Sequence, residues 1–190
     1  MTGANRGIGR ATAEGLAELG ASLVLVCRRL EDGQAVSRDI AARGWPVPDV
    51  IGADLSSQES IRHAASQIRD RYPRLQVLIN NAGIITARRE LTVDGLELQL
   101  AVNHLAYFLL TNLLLPQLLA AAPSRIINVS SGAHSHAGLD FEDLQSERVY
   151  DARQVYSRTK LANILFTYEL ARRLGGTGVT VNCLTPGVVA

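Results

Sequence analysis

Thr2-Gly3-Ala4-Asn5-Arg6-Gly7-Ile8-Gly9 places three glycines in the spacing G-x-x-x-G-x-G and runs directly into a helix pattern, Ala11 to Leu19, stopped by Gly20. Ser22 to Cys27 then reads as a strand rich in Val and Leu. Glycines at this spacing let a backbone approach a pyrophosphate, whose charge is favoured by the amides and dipole at a helix N-terminus. Alone, such a turn is as often a plain loop, so the rest of the chain decides.

Working outward, strand-like and helix-like runs alternate. Leu30 to Arg43 reads as a helix ended by Gly44, and a short strand follows around Val47 to Ile51. Ser57 precedes a helix reaching to about Arg71, Leu75 to Ile79 is a strand, and a long helical region runs from Gly95 to Ala121. Arg125 to Val129 is the next strand, residues 152 to 174 form a helix, and Val179 to Cys183 is the last strand. Short apolar strands separated by helices imply βαβ crossovers and a parallel sheet. The expected fold class is therefore α/β, a Rossmann-type doubly wound parallel sheet in three αβα layers. The glycine turn should follow a strand, yet only Met1 precedes it, and Pro186 to Ala190 stops just after one. The chain reads as the middle of a longer protein, with the first strand and a C-terminal part missing. On its own it is expected to be unstable or inactive, the glycine turn having lost its anchor.

Composition excludes several function classes. With 190 residues, 47% hydrophobic, 19% charged and a net charge of +1, the chain shows no electrostatic footprint for nucleic acid. Cys27 and Cys183 lie far apart in strand-like runs and read as buried thiols of a reducing compartment, and no signal peptide is visible. A cytoplasmic location is expected. The most apolar run, Leu105 to Leu119, carries Thr111, Asn112, Pro116 and Gln117 and falls short of the ~20 residues of a membrane span. His134-x-His136 lacks a third ligand at sensible spacing, so no metal is expected.

The chemistry concentrates in Tyr156-Ser157-Arg158-Thr159-Lys160. A phenol and an ammonium four residues apart share one helical face. Free tyrosine has a pKa near ~10, and a nearby lysine charge favours the phenolate and draws that value towards the working range. At the end of the second expected strand stand Arg28 and Arg29, with Glu31 the first acid, and Arg6 lies in the glycine turn. A dinucleotide lacking a 2′-phosphate is normally held there by an acid. Guanidinium groups without a carboxylate favour NADP(H) over NAD(H), although one of Arg28 and Arg29 can equally be a solvated surface charge. Asp54-Leu55 and Asn80-Asn81-Ala82-Gly83 also sit at strand C-terminal ends, where open α/β sheets bind ligands, and both are ordinary turn chemistry too. Asn103 falls within an apolar helix, where an amide is costly without partners. Ser130 and Ser131 end the fifth expected strand.

Taken in order, these motifs resemble the short-chain dehydrogenase/reductase family. The likeness extends over Thr2 to Gly9, Asp54-Leu55, Asn80 to Gly83, Asn103, Ser131, Tyr156, Lys160 and Pro186-Gly187. The wording Val102-Asn103-His104-Leu105, Asn128-Val129-Ser130-Ser131, Asp143-Leu144-Gln145-Ser146-Glu147 and Lys160-Leu161-Ala162-Asn163 resembles the retinol-dehydrogenase-like branch. The resemblance implies one NAD(P)-binding domain over residues 1–190. It implies Tyr156 as general acid or base, Lys160 lowering its pKa and binding the nicotinamide ribose, and Ser131 polarising the substrate oxygen, with Ser130 the lesser candidate. Asn103 would hold a water joining Lys160 to a proton relay. Gly3, Asn5, Arg6, Gly7, Ile8, Gly9, Arg28, Asp54, Leu55, Asn81, Ala82 and Gly83 would bind the cofactor, and Pro186, Gly187 and Val189 would border the nicotinamide. It also implies a homodimer or homotetramer built on the helix around Leu105 to Leu119 and the Tyr156 helix. The function expected is interconversion of a carbonyl and an alcohol on a small apolar substrate. The competing class is a non-catalytic dinucleotide-binding sensor.

Overall fold

A computed structural model describes residues 1–187. In chain order it contains α1 (Gly7–Glu18), β1 (Val24–Cys27), α2 (Leu30–Ala42), β2 (Asp49–Gly52), α3 (Gln58–Arg71) and β3 (Val77–Asn80). A helical stretch follows in three parts, α4 (Leu98–Leu100), a π-helical turn (Ala101–Leu105) and α5 (Ala106–Ala120). Then come β4 (Ser124–Val129), a 3-10 turn (Gly132–His136), α6 (Ala152–Arg173) and β5 (Val179–Leu184). All ladders are parallel: β1 pairs with β2, and β4 lies between β3 and β5.

Successive strand residues point to opposite faces. Val26, Ile51, Leu78, Ile126 and Val181 face one core with Ile61 and Ile68 of α3, Leu110, Leu114 and Leu118 of α5 and Leu170 of α6. Leu25 and Cys27 face the other, with Ala13 and Ala17 of α1 and Val36 and Ile40 of α2. Helices therefore cover both faces of the sheet, as the alternation of runs implied. Local chemistry sets the helix starts: Ser57 caps α3 by accepting from Ser60 N, and Asp151 caps α6 by accepting from Gln154 N.

Two expectations are corrected. The glycine turn keeps an anchor, because Met1 to Gly3 supply the last rungs between the two sheets. Val26 N donates to Met1 O (2.9 Å), Gly3 N to Val26 O (2.9 Å) and Thr2 N to Ile79 O (3.0 Å). These bonds fix the turn at the C-terminal edge, and below them β1 and β3 share no ladder. The expectation that the apolar run Leu105 to Leu119 falls short of a membrane span is corrected too, because the helical stretch that contains it is longer than the run itself. Leu98–Ala120 spans 23 residues and is long and apolar enough by length and composition to cross a membrane, with half of its most apolar part buried in the fold. It starts earlier than the apolar run because Glu97, fully buried, caps it by accepting from Gln99 N (2.9 Å) and Leu100 N (2.6 Å).

Candidate active site

The C-terminal ends of β1, β2 and β3 open on one crevice of about 780 Å³. Gly3, Asn5, Arg6, Gly7 and Ile8 line it from the turn and α1, Arg28 from the end of β1, Asp54 and Leu55 from the end of β2, and Asn81, Ala82 and Gly83 from the end of β3. The turn is fastened to β3 by side chains. Asn81 Nδ2 donates to Thr2 O (3.0 Å) and Gly3 O (3.2 Å), and Thr2 Oγ1 accepts from Asn81 N (3.0 Å) and Ala82 N (3.1 Å). Gly9 does not line the crevice. A Cβ there would stand 2.0 Å from Gly3 O and 2.6 Å from Asn81 Nδ2, so its role is to let α1 close on the turn. Gly9→Ala is expected to destabilise the fold by about 1–3 kcal/mol through this overlap, as read in urea melts.

The arginines divide. Arg29 forks onto Asp32, with Nη2 to Oδ1 at 2.6 Å and Nε to Oδ2 at 2.9 Å, and this pairing holds the Asp32 carboxyl below the usual range. Arg28 and Arg6 are exposed at the crevice, and among the described residues neither forms an ion pair. Arg29 lines the crevice as well, but its guanidinium is engaged by Asp32, whereas that of Arg28 is not. The expected lack of a carboxylate is corrected: Asp32, three residues beyond Arg29 at the start of α2, lines the crevice and takes a long bond from Asn5 Nδ2 (3.4 Å). Asp54 lines the crevice, and its Oδ1 accepts from Ser56 N (2.9 Å) and Ser56 Oγ (2.6 Å) as a turn contact.

Behind the crevice wall at Gly83, and not itself lining the crevice, lies Lys160, 2% exposed. Its Nζ donates to Val129 O (3.0 Å) and stands 5.5 Å from the Tyr156 ring centre and 5.8 Å from that of Tyr107. A Cβ on Gly83 would come within 3.3 Å of this nitrogen and 3.6 Å of Asn103 Oδ1. Lys160 therefore joins the wall of the crevice to the phenol of α6. Burial pushes its ammonium down to about 8. Asn103 sits in the π-helical turn; Oδ1 accepts from Ile84 N (2.8 Å), while Nδ2 donates to Ile84 O (2.9 Å) and Thr159 Oγ1 (3.2 Å). The buried amide is paid for by a two-point clamp on the segment after Gly83.

The two serines also separate. Ser130 is 3% exposed and its Oγ donates to Lys160 O (2.8 Å), so it fastens α6 to β4. Ser131 is partly exposed and caps the 3-10 turn, its Oγ accepting from Ala133 N (3.3 Å). That turn packs on α6, and a second cavity of about 340 Å³ opens beside Tyr156, lined also by Ile85, Ala133 and Ser157.

The complete chain, residues 1–190, matches the family profile described as short chain dehydrogenase. This chain belongs to that family. It is 50% identical to human retinol dehydrogenase 13 over 192 residues, an alignment covering 99% of the chain and 57% of that relative. The chain thus spans little more than half the length of this curated relative. Among solved structures it resembles an uncharacterized protein from Mycobacterium Paratuberculosis (41% identity, TM-score 0.85, covering 98% of this chain and 66% of that one). It also resembles a metagenomic short-chain oxidoreductase in complex with NADP (31% identity, TM-score 0.80, 99% and 80% covered).

Within this short chain dehydrogenase, Pro186 and Gly187 follow β5 as exposed residues and do not line the crevice. The bond from Ser130 N to Leu184 O (2.8 Å) brings the end of β5 beside the serines, and Val189 lies outside the described residues. Several buried polar residues place the site in a way that the sequence motifs containing some of them did not reveal. Asn163 donates to Asn103 O (2.8 Å) and pairs through Oδ1 with His104 Nδ1 (2.9 Å). Asn80 Nδ2 donates to Thr111 Oγ1 and Asn128 Oδ1 (both 2.9 Å), and Asn128 Nδ2 to Thr167 Oγ1 (2.9 Å). This network ties β3 and β4 to α5 and α6 just below the catalytic candidates. Its signal was the clustering of Asn and Thr at apolar positions.

Proposed function

We propose that the protein is an NADP(H)-dependent oxidoreductase interconverting a carbonyl and an alcohol on an apolar small molecule, within a single domain. The observation that carries this reading is the placement of Lys160 Nζ between the crevice wall at Gly83 and the Tyr156 ring. The glycine cradle, the unpaired Arg6 and Arg28 and the small Ala82–Gly83 wall fit a phosphorylated dinucleotide lying along the crevice. Bound NADP(H) would supply the hydride. Tyr156 delivers the proton to the substrate oxygen in reduction and removes it in oxidation. Lys160 offsets the negative charge left on the phenol and holds the nicotinamide ribose. Ser131, partly exposed at the start of the 3-10 turn, orients the substrate oxygen, and Asn103 fixes the segment after Gly83. The acceptor capacity left on the Asn103 oxygen serves the water of the proton relay. The names of the relatives, retinol dehydrogenase and an NADP-bound oxidoreductase, support the substrate class and the cofactor. Phe108 on α5 and Tyr168 on α6, 50% and 70% exposed, support a homodimer through these helices.

The cofactor assignment is tested by titrating NADPH and NADH into the full-length protein and its Arg6→Ala/Arg28→Ala variant. Each charge-assisted contact is worth about 1.5–3 kcal/mol, so NADPH binding should weaken by at least about tenfold while NADH binding changes by less than about twofold. Equal losses for both cofactors would remove the phosphate from this reading.

A further inference from the structure

The cavity beside Tyr156, about 340 Å³, is lined by Ile85, Ala133, His136, Arg153, Gln154, Tyr156 and Ser157, with no acid among them. Arg153, Tyr156 and Ser157 stand at i, i+3 and i+4 and so share one face of α6. Arg153 is exposed, and among the described residues it forms no ion pair. The acid nearest in sequence, Asp151, turns Oδ1 to Gln154 N (2.8 Å) as the helix cap. Arg153 also stands in the first turn of α6, where the helix dipole opposes a cation. Glu59 at the start of α3 and Arg172 and Arg173 at the end of α6, by contrast, lie with the dipole. His136 enters the same cavity from the 3-10 turn.

We infer that this cavity selects a substrate with an apolar body whose end remote from the reacting carbon is an anion, a carboxylate above all, held by Arg153 with His136. The inference rests on the dehydrogenase reading and names its substrate class. Ile85 and Ala133 would pack on the apolar body and Tyr156 would meet the carbonyl. The cavity sits at the lower end of the ~300–1,000 Å³ range of small-molecule sites, which suits a slender chain better than a broad polycyclic body.

The test compares an ω-oxo fatty acid with its methyl ester as substrates of the full-length protein at saturating NADPH. The acid should exceed the ester by about tenfold in kcat/KM, mostly through KM, as one charge-assisted contact supplies. Arg153→Gln should bring the two within about twofold, chiefly through a higher KM for the acid, and Arg153→Lys should keep part of the preference. Equal kcat/KM for acid and ester in the wild type, or equal losses for both in Arg153→Gln, would overturn the inference. Calorimetric binding of the saturated fatty acid and its methyl ester needs no turnover. Tighter acid binding that disappears in Arg153→Gln, with neither aldehyde reduced, would defeat the dehydrogenase reading and leave the anion site standing. Acid bound no tighter than ester would overturn the site whatever the turnover.

Discussion

Tyr156→Phe should lower carbonyl-dependent NADPH oxidation by the full-length protein by about 10²–10⁴-fold, the range typical of a positioned general acid. Its effect on NADPH affinity should stay within about twofold, and its effect on stability should be small. The phenol oxygen makes no hydrogen bond among the described residues, and the ring is partly exposed beside the 340 Å³ cavity. Phenylalanine keeps that ring and its approach to Lys160 while removing only the proton carrier. Steady-state NADPH oxidation, fluorescence titration and a thermal melt on the same preparation separate the three effects. Turnover within about threefold of the wild type would assign the proton to another group.

Lys160→Met should raise stability while removing turnover. The ammonium is 2% exposed, and burial lowers it from an ordinary 10.5 to about 8. Because the folded-state value is lower, the unfolded chain binds more protons between these two values. Stability therefore rises as pH increases from about 8 to 10.5, and the penalty of the buried charge is fully present below pH 8. The drop from 10.5 to about 8 corresponds to about 3 kcal/mol. Loss of the bond to Val129 O offsets about 1 kcal/mol of that, so methionine should stabilise the protein by about 2 kcal/mol at neutral pH. Urea melts across pH 7 to 10 should show the alkaline rise in the wild type and its loss in the variant. Turnover should fall by about 10²-fold or more, since proton transfer and ribose binding lose the same cation. A destabilised variant, or a wild type whose stability is flat across this pH window, would contradict the buried-charge account.

The elements were legible because their apolar periods differ, and the strands appear within two or three residues of their expected bounds. What the period could not show was pairing. That Met1 to Gly3 complete the last rungs between Val26 and Ile79 depends on hydrogen bonds between residues far apart in the chain, Thr2 and Ile79 above all. Asn103 stood out as a polar residue in an apolar run, yet the π-helical turn and the clamp on Ile84 depend on partners that its neighbours do not reveal. Arg28 and Arg29 are chemically equal in sequence, and only the fork onto Asp32 distinguishes them. Ser130 and Ser131 parted for a related reason, since strand alternation turns one towards Lys160 O and leaves the other partly exposed.

The central claim is that a dinucleotide crevice and a proton-transferring phenol meet in one working site. The most direct measurement is NADPH oxidation by the full-length protein over a panel of apolar aldehydes and ketones, with NADH in parallel. The account predicts carbonyl-dependent oxidation that favours NADPH by about tenfold or more, as one phosphate contact supplies. Tight NADPH binding with no carbonyl-dependent oxidation anywhere in the panel would contradict it and make the protein a dinucleotide sensor.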